Sequence, residues 1–348
     1  FTSANGIIKT IDKLRVTGFD YSNDRYSYYS NCGWVTSGPI AEGTCKNWGN
    51  PIAEMMYEGL RYFAGTGTNP NIPAPATPTP AFNYTAGTGT DFTTLDLPQV
   101  ETWDNPFATN GACAKPFMLV ISDINPSYDS NQLPGVLSTF GSGLTPALTD
   151  QDGLALNVET LGNEISGGLN GEAITGSHYI GEVASTSDYS CAPKTMTTDN
   201  GFGRIRGLCP EEPTKLGSYY SASVAYFGRT HDISIAPGDQ NMLTYVVGLS
   251  SPLPRFEVRA ADNQLITLIP FAKTTGSRNA PGQLWPYQPT NTIVDFYIES
   301  LSDTTATFRV NFEDVEQGAD HDMDAIAIYS YELLDDNEDP VSVPALGT

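Results

Sequence analysis

Positive charge is scarce in this sequence. Lysine and arginine number 17 against 40 aspartates and glutamates, a net charge of −23 over 348 residues. So acidic a surface repels phosphate, which disfavours nucleic acid and anionic membrane as partners. No apolar run is long enough to span a bilayer, so no membrane insertion is expected. No Cys-x-x-Cys pair and no Cys/His cluster with zinc spacing occurs. The three histidines, His178, His231 and His321, are far apart and show no metal-ligand pattern; surface or hydrogen-bonding roles are expected for each. Ser122 and Ser138 lack a Gly-x-Ser-x-Gly context, and there is no glycine-rich phosphate loop. A non-enzymatic role is expected, although a missing catalytic pattern does not by itself exclude catalysis.

What is present points outside the cell. Charged residues make up only 16% of the chain, with 33 glycines, 25 prolines and 18 tyrosines, a loop-rich composition that suits secreted surface proteins. Apolar and aromatic residues are plentiful enough to argue against disorder. Phe1 leads straight into the amphipathic stretch GIIKTIDKLRVTGF, and EDPVSVPALGT ends the chain as a linker would. The expectation is a portion of a longer exported protein. Cys32 with Cys45, and Cys191 with Cys209, each bracket a short loop, so two structural disulfides are expected. Cys113 is left over, either free and buried or bonded to a cysteine elsewhere.

Three segments carry the strongest local signals. In NWGNPIAEMMYEGLRYFAG (47–65), Asn50 is a candidate N-cap, Pro51 a first helical residue and Gly65 a helix stop. Ile52, Met55, Met56, Leu60 and Phe63 recur at helical spacing. In CAKPFMLVISDINPSYDSNQLPG (113–135), Phe117 to Ser122 read as a strand buried on both faces. A second helix is expected in GSYYSASVAYFGRTHDI from 217, with Tyr220, Val224 and Phe227 close to one face. It leads to a second buried strand in MLTYVVGLSSPLP (242–254). Residues 65–112 form a Pro-, Thr- and Gly-rich insertion, and about 136–178 should alternate loops with short helices. Beyond residue 255 the pattern becomes period-two alternation in FEVRAADNQLITLIPFA, TNTIVDFYIESLS, TTATFRVNFEDV and DAIAIYSYELL, as in successive antiparallel strands.

Two segments are rich in oxygen ligands. After the first strand, Asp123, Asn125, Ser127, Asp129 and Asn131 alternate, which suits a hard cation such as calcium or magnesium. The same residues suit an Asx-turn that satisfies the backbone at the strand's end. The run FEDVEQGADHDMDAI (312–326) holds Glu313, Asp314, Glu316, Asp320, Asp322 and Asp324. It reads either as a loop of hydrated carboxylates or as a calcium site, and its spacing is not that of an EF-hand.

NWGNPIAEMMYEGLRYFAG, the Cys-strand-Ser-Asp run at 113–123, YSASVAYFGRTHDI leading to GDQNMLTYVVGL, and GADHDMDAIAIYSYEL occur here in one order. Together they resemble the central region of the PilY/PilC family of type IV pilus tip adhesins and assembly factors. The resemblance implies an α/β fold: a von Willebrand A-like doubly wound sheet over 1–255, interrupted by the insertion, followed by a β-rich antiparallel portion over 256–348. It implies pilins or minor pilins as partners and a location on the cell surface or pilus. This sequence departs from the A-domain pattern in several places. The Asp-x-Ser-x-Ser loop is absent and would lie upstream of Phe1, Asn50 stands where a threonine is usual, and Asp123-Ile124 replaces Asp-Gly. The family's carboxy-terminal β-propeller is missing too.

Calcium, with magnesium as the alternative, is the expected cofactor, held by Asp123, Asn125 and Asp129 or by Asp320, Asp322 and Asp324. Two other readings stay open. One is a structural subunit of an extracellular filament. The other is a secreted metal-dependent hydrolase using Asp123, Asp129 and the 320–324 acids.

Overall fold

The computed structural model describes residues 19–20, 25–26, 50–65, 103–123, 126–169, 171, 173–184, 186–208, 216–249, 256–259, 265–268, 292–313, 325–335, 337 and 339–340. The chain divides near Leu249 into two compact units. The first combines helices with small sheets, and the described elements of the second are strands.

The first unit holds two short strands, β1 (Phe19–Asp20) and β2 (Arg25–Tyr26), paired antiparallel. Helix α1 (Ile52–Ala64) follows, and Gly65 ends it in the left-handed conformation, φ 66°. Its buried side is Ala53, Met56, Tyr57, Leu60, Arg61 and Ala64. The expected stripe is therefore rotated: Met55 is 65% exposed, because the close helix–helix contact selects the small Ala53 and Ala64 for the inner face. Asn50 is not the N-cap either. Pro51 takes that position, and no side chain caps the helix.

Short helix α2 (Pro106–Asn110) is capped by Asn105, whose side chain accepts from the Phe107 N–H. Cys113, just beyond it, is free and exposed, which overturns the buried alternative. Strand β3 (Phe117–Asp123) then leads to α3 (Val158–Ser166). A three-stranded antiparallel sheet follows in the order β5–β4–β6, from β4 (Gly176–Val183), β5 (Thr186–Met196) and β6 (Ile205–Leu208), with a 3₁₀ turn at Phe202–Arg204. Nothing in the sequence pattern announced this sheet. Helix α4 (Tyr220–Thr230) and strand β7 (Leu243–Leu249) complete the unit.

Strands β3 and β7 pair in parallel, Phe117 beside Leu243 through Asp123 beside Leu249. The two apolar segments thus meet in one sheet, as expected. They are not buried on both faces. Met118 and Val120 pack on the core, whereas Phe117, Leu119 and Ile121 are 62%, 54% and 66% exposed. Among the described residues the helices cover one side only.

The core of this unit gathers Met56, Tyr57 and Leu60 of α1, Tyr220, Val224 and Phe227 of α4, and Leu133, Leu148, Leu156, Val158, Ile233 and Met242. Gly228 allows α1 and α4 to touch, since a Cβ there would lie 2.9 Å from Leu60 Cδ2. Gly203 lies so close to Glu159 of α3 that no side chain fits. Asn163 and Ser166 hold that turn: Asn163 Oδ1 accepts from the N–H groups of Gly201 and Gly203, and Ser166 Oγ accepts from the Phe202 N–H. Within the β4–β6 sheet the cross-strand neighbours Arg206 and Glu182 form a buried ion pair, Nε to Oε2 at 2.5 Å. Arg206 also donates to Ser130 Oγ and lies over the Phe140 ring at 4.3 Å.

The second unit contains the antiparallel hairpin β8 (Phe256–Arg259) with β9 (Leu265–Leu268) and the meander β10 (Thr292–Leu301), β11 (Thr305–Glu313), β12 (Ala325–Glu332). These are the alternating segments of the sequence. Ala306, Phe308 and Val310 are buried on one face of β11, and Phe308 stacks with Phe296 at 5.2 Å and Phe256 at 4.6 Å. On the opposite face Arg309 lies over Tyr297 and pairs with Glu299.

Two buried phenols give the first unit an alkaline limit. Burial pushes the Tyr57 hydroxyl up to about 12, with Arg61 opposing, and raises that of Tyr220 as well. In the unfolded chain both ionise near the ordinary value of about 10. The folded state keeps its protons longer, so their contribution to stability is intact below pH ~10 and is lost as pH rises toward 12. The slope is about 1.4 kcal/mol per pH unit for each phenol. Tyr57→Phe should flatten the fall measured by urea melts between pH 9.5 and 11.5. At neutral pH it should cost about 1–3 kcal/mol, because the Leu148 N–H, which donates to the phenol oxygen at 3.3 Å, loses its acceptor. An unchanged slope would mean that Tyr57 ionises alike in both states.

Candidate functional site

The polar side chains of the first unit converge where β3 ends and α1 begins. A parallel strand's carboxyl end beside a helix N-terminus is where open α/β sheets place ligands. Asn50 precedes α1 and Ser122 is the next-to-last residue of β3. Their side chains exchange two hydrogen bonds: Asn50 Nδ2 donates to Ser122 Oγ at 2.8 Å, and Ser122 Oγ donates to Asn50 Oδ1 at 3.1 Å. Asn50 turns away from the helix because Ser122 offers both a donor and an acceptor. Its backbone is clamped as well, since Asn50 N–H donates to Ser127 Oγ at 2.7 Å and Ser127 N–H donates to Asn50 O at 3.0 Å. One turn into the helix, Glu54 Oε1 accepts from the Gln132 N–H at 2.9 Å.

Tyr128 takes the left-handed conformation, φ 51°, which is uncommon for a residue with a side chain. Ser127 on one side of it serves Asn50. Asp129 on the other is fully buried, and its Oδ1 accepts from the Ser218 N–H at 2.8 Å. Ser218 Oγ in turn accepts from the Tyr220 N–H at 3.2 Å, at the start of α4. Ser127 and Asp129, two of the alternating oxygens, thus face in two directions, one toward α1 and one toward α4.

The expected site residues fall as follows. Asp123 closes β3, but its side chain lies outside the described residues. Asn125, Asp320, Asp322 and Asp324 lie wholly outside them, as do Asp314, Glu316 and His321. So do Cys32, Cys45 and Cys209; Cys191 is placed on β5 by its backbone alone. Asp129 is inside the fold as a hydrogen-bond acceptor. His178 Nε2 lies 3.1 Å from Thr175 O, and His231 stacks on Phe227 at 4.3 Å with its Nδ1 3.1 Å from Phe227 O. His178 hydrogen-bonds locally, whereas His231 also sets its Nε2 3.9 Å from Asp150 Oδ2.

A hard cation needs several oxygens free to converge. Here Ser122, Asn50, Ser127 and Asp129 Oδ1 already serve protein partners. Among the described residues no three His, Cys, Asp or Glu side chains gather to hold a metal. The described oxygens therefore do not fit a calcium site on their own. What sequence reasoning missed is the reciprocal pairing of Asn50 with Ser122. Residues 72 apart meet there, and no local pattern signals it.

Residues 1–228 match a family model described as PilY1 homolog, second domain, and residues 258–345 match one described as PilY1 homolog, beta-sandwich. The chain belongs to the PilY1 family. A Type IV pilus biogenesis factor PilY1 homolog from Xylella fastidiosa is 38% identical over 352 residues, covering 93% of this chain and 22% of that relative. The chain thus spans about a fifth of the relative's length. No solved structure matches it. The two PilY1 family models fall on either side of the division near Leu249. The second coincides with the β8–β12 strands, and among the described residues no helix is long and apolar enough to cross a membrane.

The Asn50–Ser122 pair couples strand to helix in a half-buried setting. Ser122→Ala should lower stability by about 1 kcal/mol, and Asn50→Ala by a similar amount. In chemical denaturation, the double variant should fall short of the sum by about 1 kcal/mol, because the same bonds are removed twice. Strict additivity would show the two side chains to be energetically independent.

Proposed function

We propose that this chain is a non-catalytic module of a type IV pilus-associated surface protein, acting in pilus assembly or as part of a tip adhesin. The observation that carries the reading is the PilY1-family match across both structural units, together with the likeness to the Xylella type IV pilus biogenesis factor. Pilins or minor pilins are the proposed partners, and the cell surface or pilus is the proposed location.

The polar groups at the β3–α1 junction support a scaffold role. Asn50, Ser122, Ser127 and Asp129 hold distant segments of the chain together. The parallel β3–β7 pair, with α1 and α4 on one side, supports the von Willebrand A-like doubly wound reading. Calcium belongs to the same proposal. Its carboxylates would come from Asp123 or from Asp320, Asp322 and Asp324, where neutralising like charges favours the folded state.

The test is complementation of a strain lacking the encoding gene. The full-length gene should restore surface pili, and a version without residues 1–348 of this chain should not. Restored pili with lost attachment would assign the adhesin role, whereas absent pili would assign assembly. Asp123→Ala and Asp322→Ala, compared with and without chelator, should reproduce whichever loss calcium removal causes. Full pilus number and attachment without the chain would overturn the proposal.

A further inference from the structure

The meander of the second unit runs in the order β10–β11–β12, so among the described residues β10 and β12 each pair on one side only. A free edge presents unpaired N–H and C=O groups, and proteins ordinarily blunt it with charge, proline or a bulge. Strand β10 is blunted. Its register breaks twice, between Ile293 and Asp295 and between Ile298 and Ser300, and it carries the exposed Asp295 and Glu299. Strand β12 is not. It pairs with β11 without a break, from Thr305 beside Glu332 to Phe312 beside Ala325, and its run AIAIYSY holds no charge and no proline. Ile326 and Ile328 are 53% and 59% exposed on the face they share with Arg309, and Tyr329 is 54% exposed on the face of Phe308.

We propose that β12 takes up an extended segment of another protein as an added strand, and that this segment is apolar in its middle and basic at its ends. The unpaired backbone of β12 supplies the hydrogen-bond ladder. Apolar side chains stand exposed on both faces of the edge, and successive residues of an added strand fall on alternate faces. The middle of the partner segment is therefore apolar at consecutive positions.

Charge selects the ends. No lysine or arginine follows Arg309, whereas Asp320, Asp322 and Asp324 shortly precede β12 in the sequence and Glu332 closes it. Glu332, Asp335 and Asp339 are all exposed. The N–H groups of Asp339 and Asn337 donate to Asp335 Oδ1 and hold its carboxyl below the usual range, so it is charged at neutral pH. A second copy of this chain would bring the same acids to the same edge, where like charges repel. A segment with lysine or arginine at its ends meets opposite charge instead.

The probe is a labelled synthetic peptide, Lys-Lys-Val-Thr-Val-Ile-Val-Lys-Lys, added to the full 348-residue chain and followed by fluorescence anisotropy and amide hydrogen exchange. Binding should slow exchange at alternate β12 amides by about tenfold and leave β10 unchanged. The same peptide with glutamates for its lysines, or with proline for its central valine, should bind several-fold more weakly. Ile328→Lys, at an exposed position, should weaken binding several-fold while the circular dichroism spectrum is retained. No binding, equal binding of the glutamate peptide, or binding without protection of β12 would overturn the proposal. Concentration-dependent protection of β12 in the chain alone would assign the edge to a second copy and overturn it as well.

Discussion

The first unit depends on how the buried phenol of Tyr220 satisfies its oxygen. A buried hydroxyl without partners is costly, so the chain must bring partners to it. Tyr220 is fully buried; its hydroxyl donates to Gly203 O at 3.0 Å and accepts from the Leu137 N–H at 3.2 Å. Its backbone N–H is met by Ser218, which Asp129 holds in place. One residue thus fixes the start of α4, the 3₁₀ turn, the loop after β3 and, through that loop, the approach of β3 to α1. Removing it would leave a large cavity and two orphaned backbone groups together.

The β4–β6 sheet attaches by the same logic with charge in place of a hydroxyl. Arg206 and Glu182 are both buried, so each needs the other. The guanidinium also reaches Ser130 and the Phe140 ring. A buried pair of this kind adds little net stability over an apolar pair, but losing one partner is strongly destabilising. Glu182, beside Arg206 in the sheet, balances the charge, while the reach of Arg206 to Ser130 and Phe140 places the sheet against the loop after β3. The second unit uses no such device among its described residues. Phe256, Phe296, Phe308 and Tyr331 pack ring to ring, and antiparallel register does the rest.

A family membership shared by both units joins them in one functional reading, though they are built by different physics. In the first unit Asn50, Ser122, Asp129 and Arg206 are engaged internally. Its unusual exposed feature is apolar, the open face of β3 and β7.

Periodicity made α1, α4, β3, β7 and the β8–β12 strands legible, because local hydrophobic spacing follows directly from helix and strand geometry. The family likeness was legible too, carried by four ordered segments. The rotation of the α1 stripe was not, since which flank faces inward depends on Gly228 allowing α4 close to Leu60. The β5–β4–β6 sheet was hidden because its strands carry many polar residues and its attachment runs from buried Arg206 to Ser130, 76 positions away. At the candidate site, the sequence identified the junction of strand end and helix start. It could not tell that Asn50 would face Ser122 rather than cap its helix, or that Asp129 would turn inward to Ser218. Those choices are made by partners 72 and 89 positions away. Local spacing encodes an element and its apolar side. The fate of each polar group depends on which distant donor or acceptor the packed chain brings within reach.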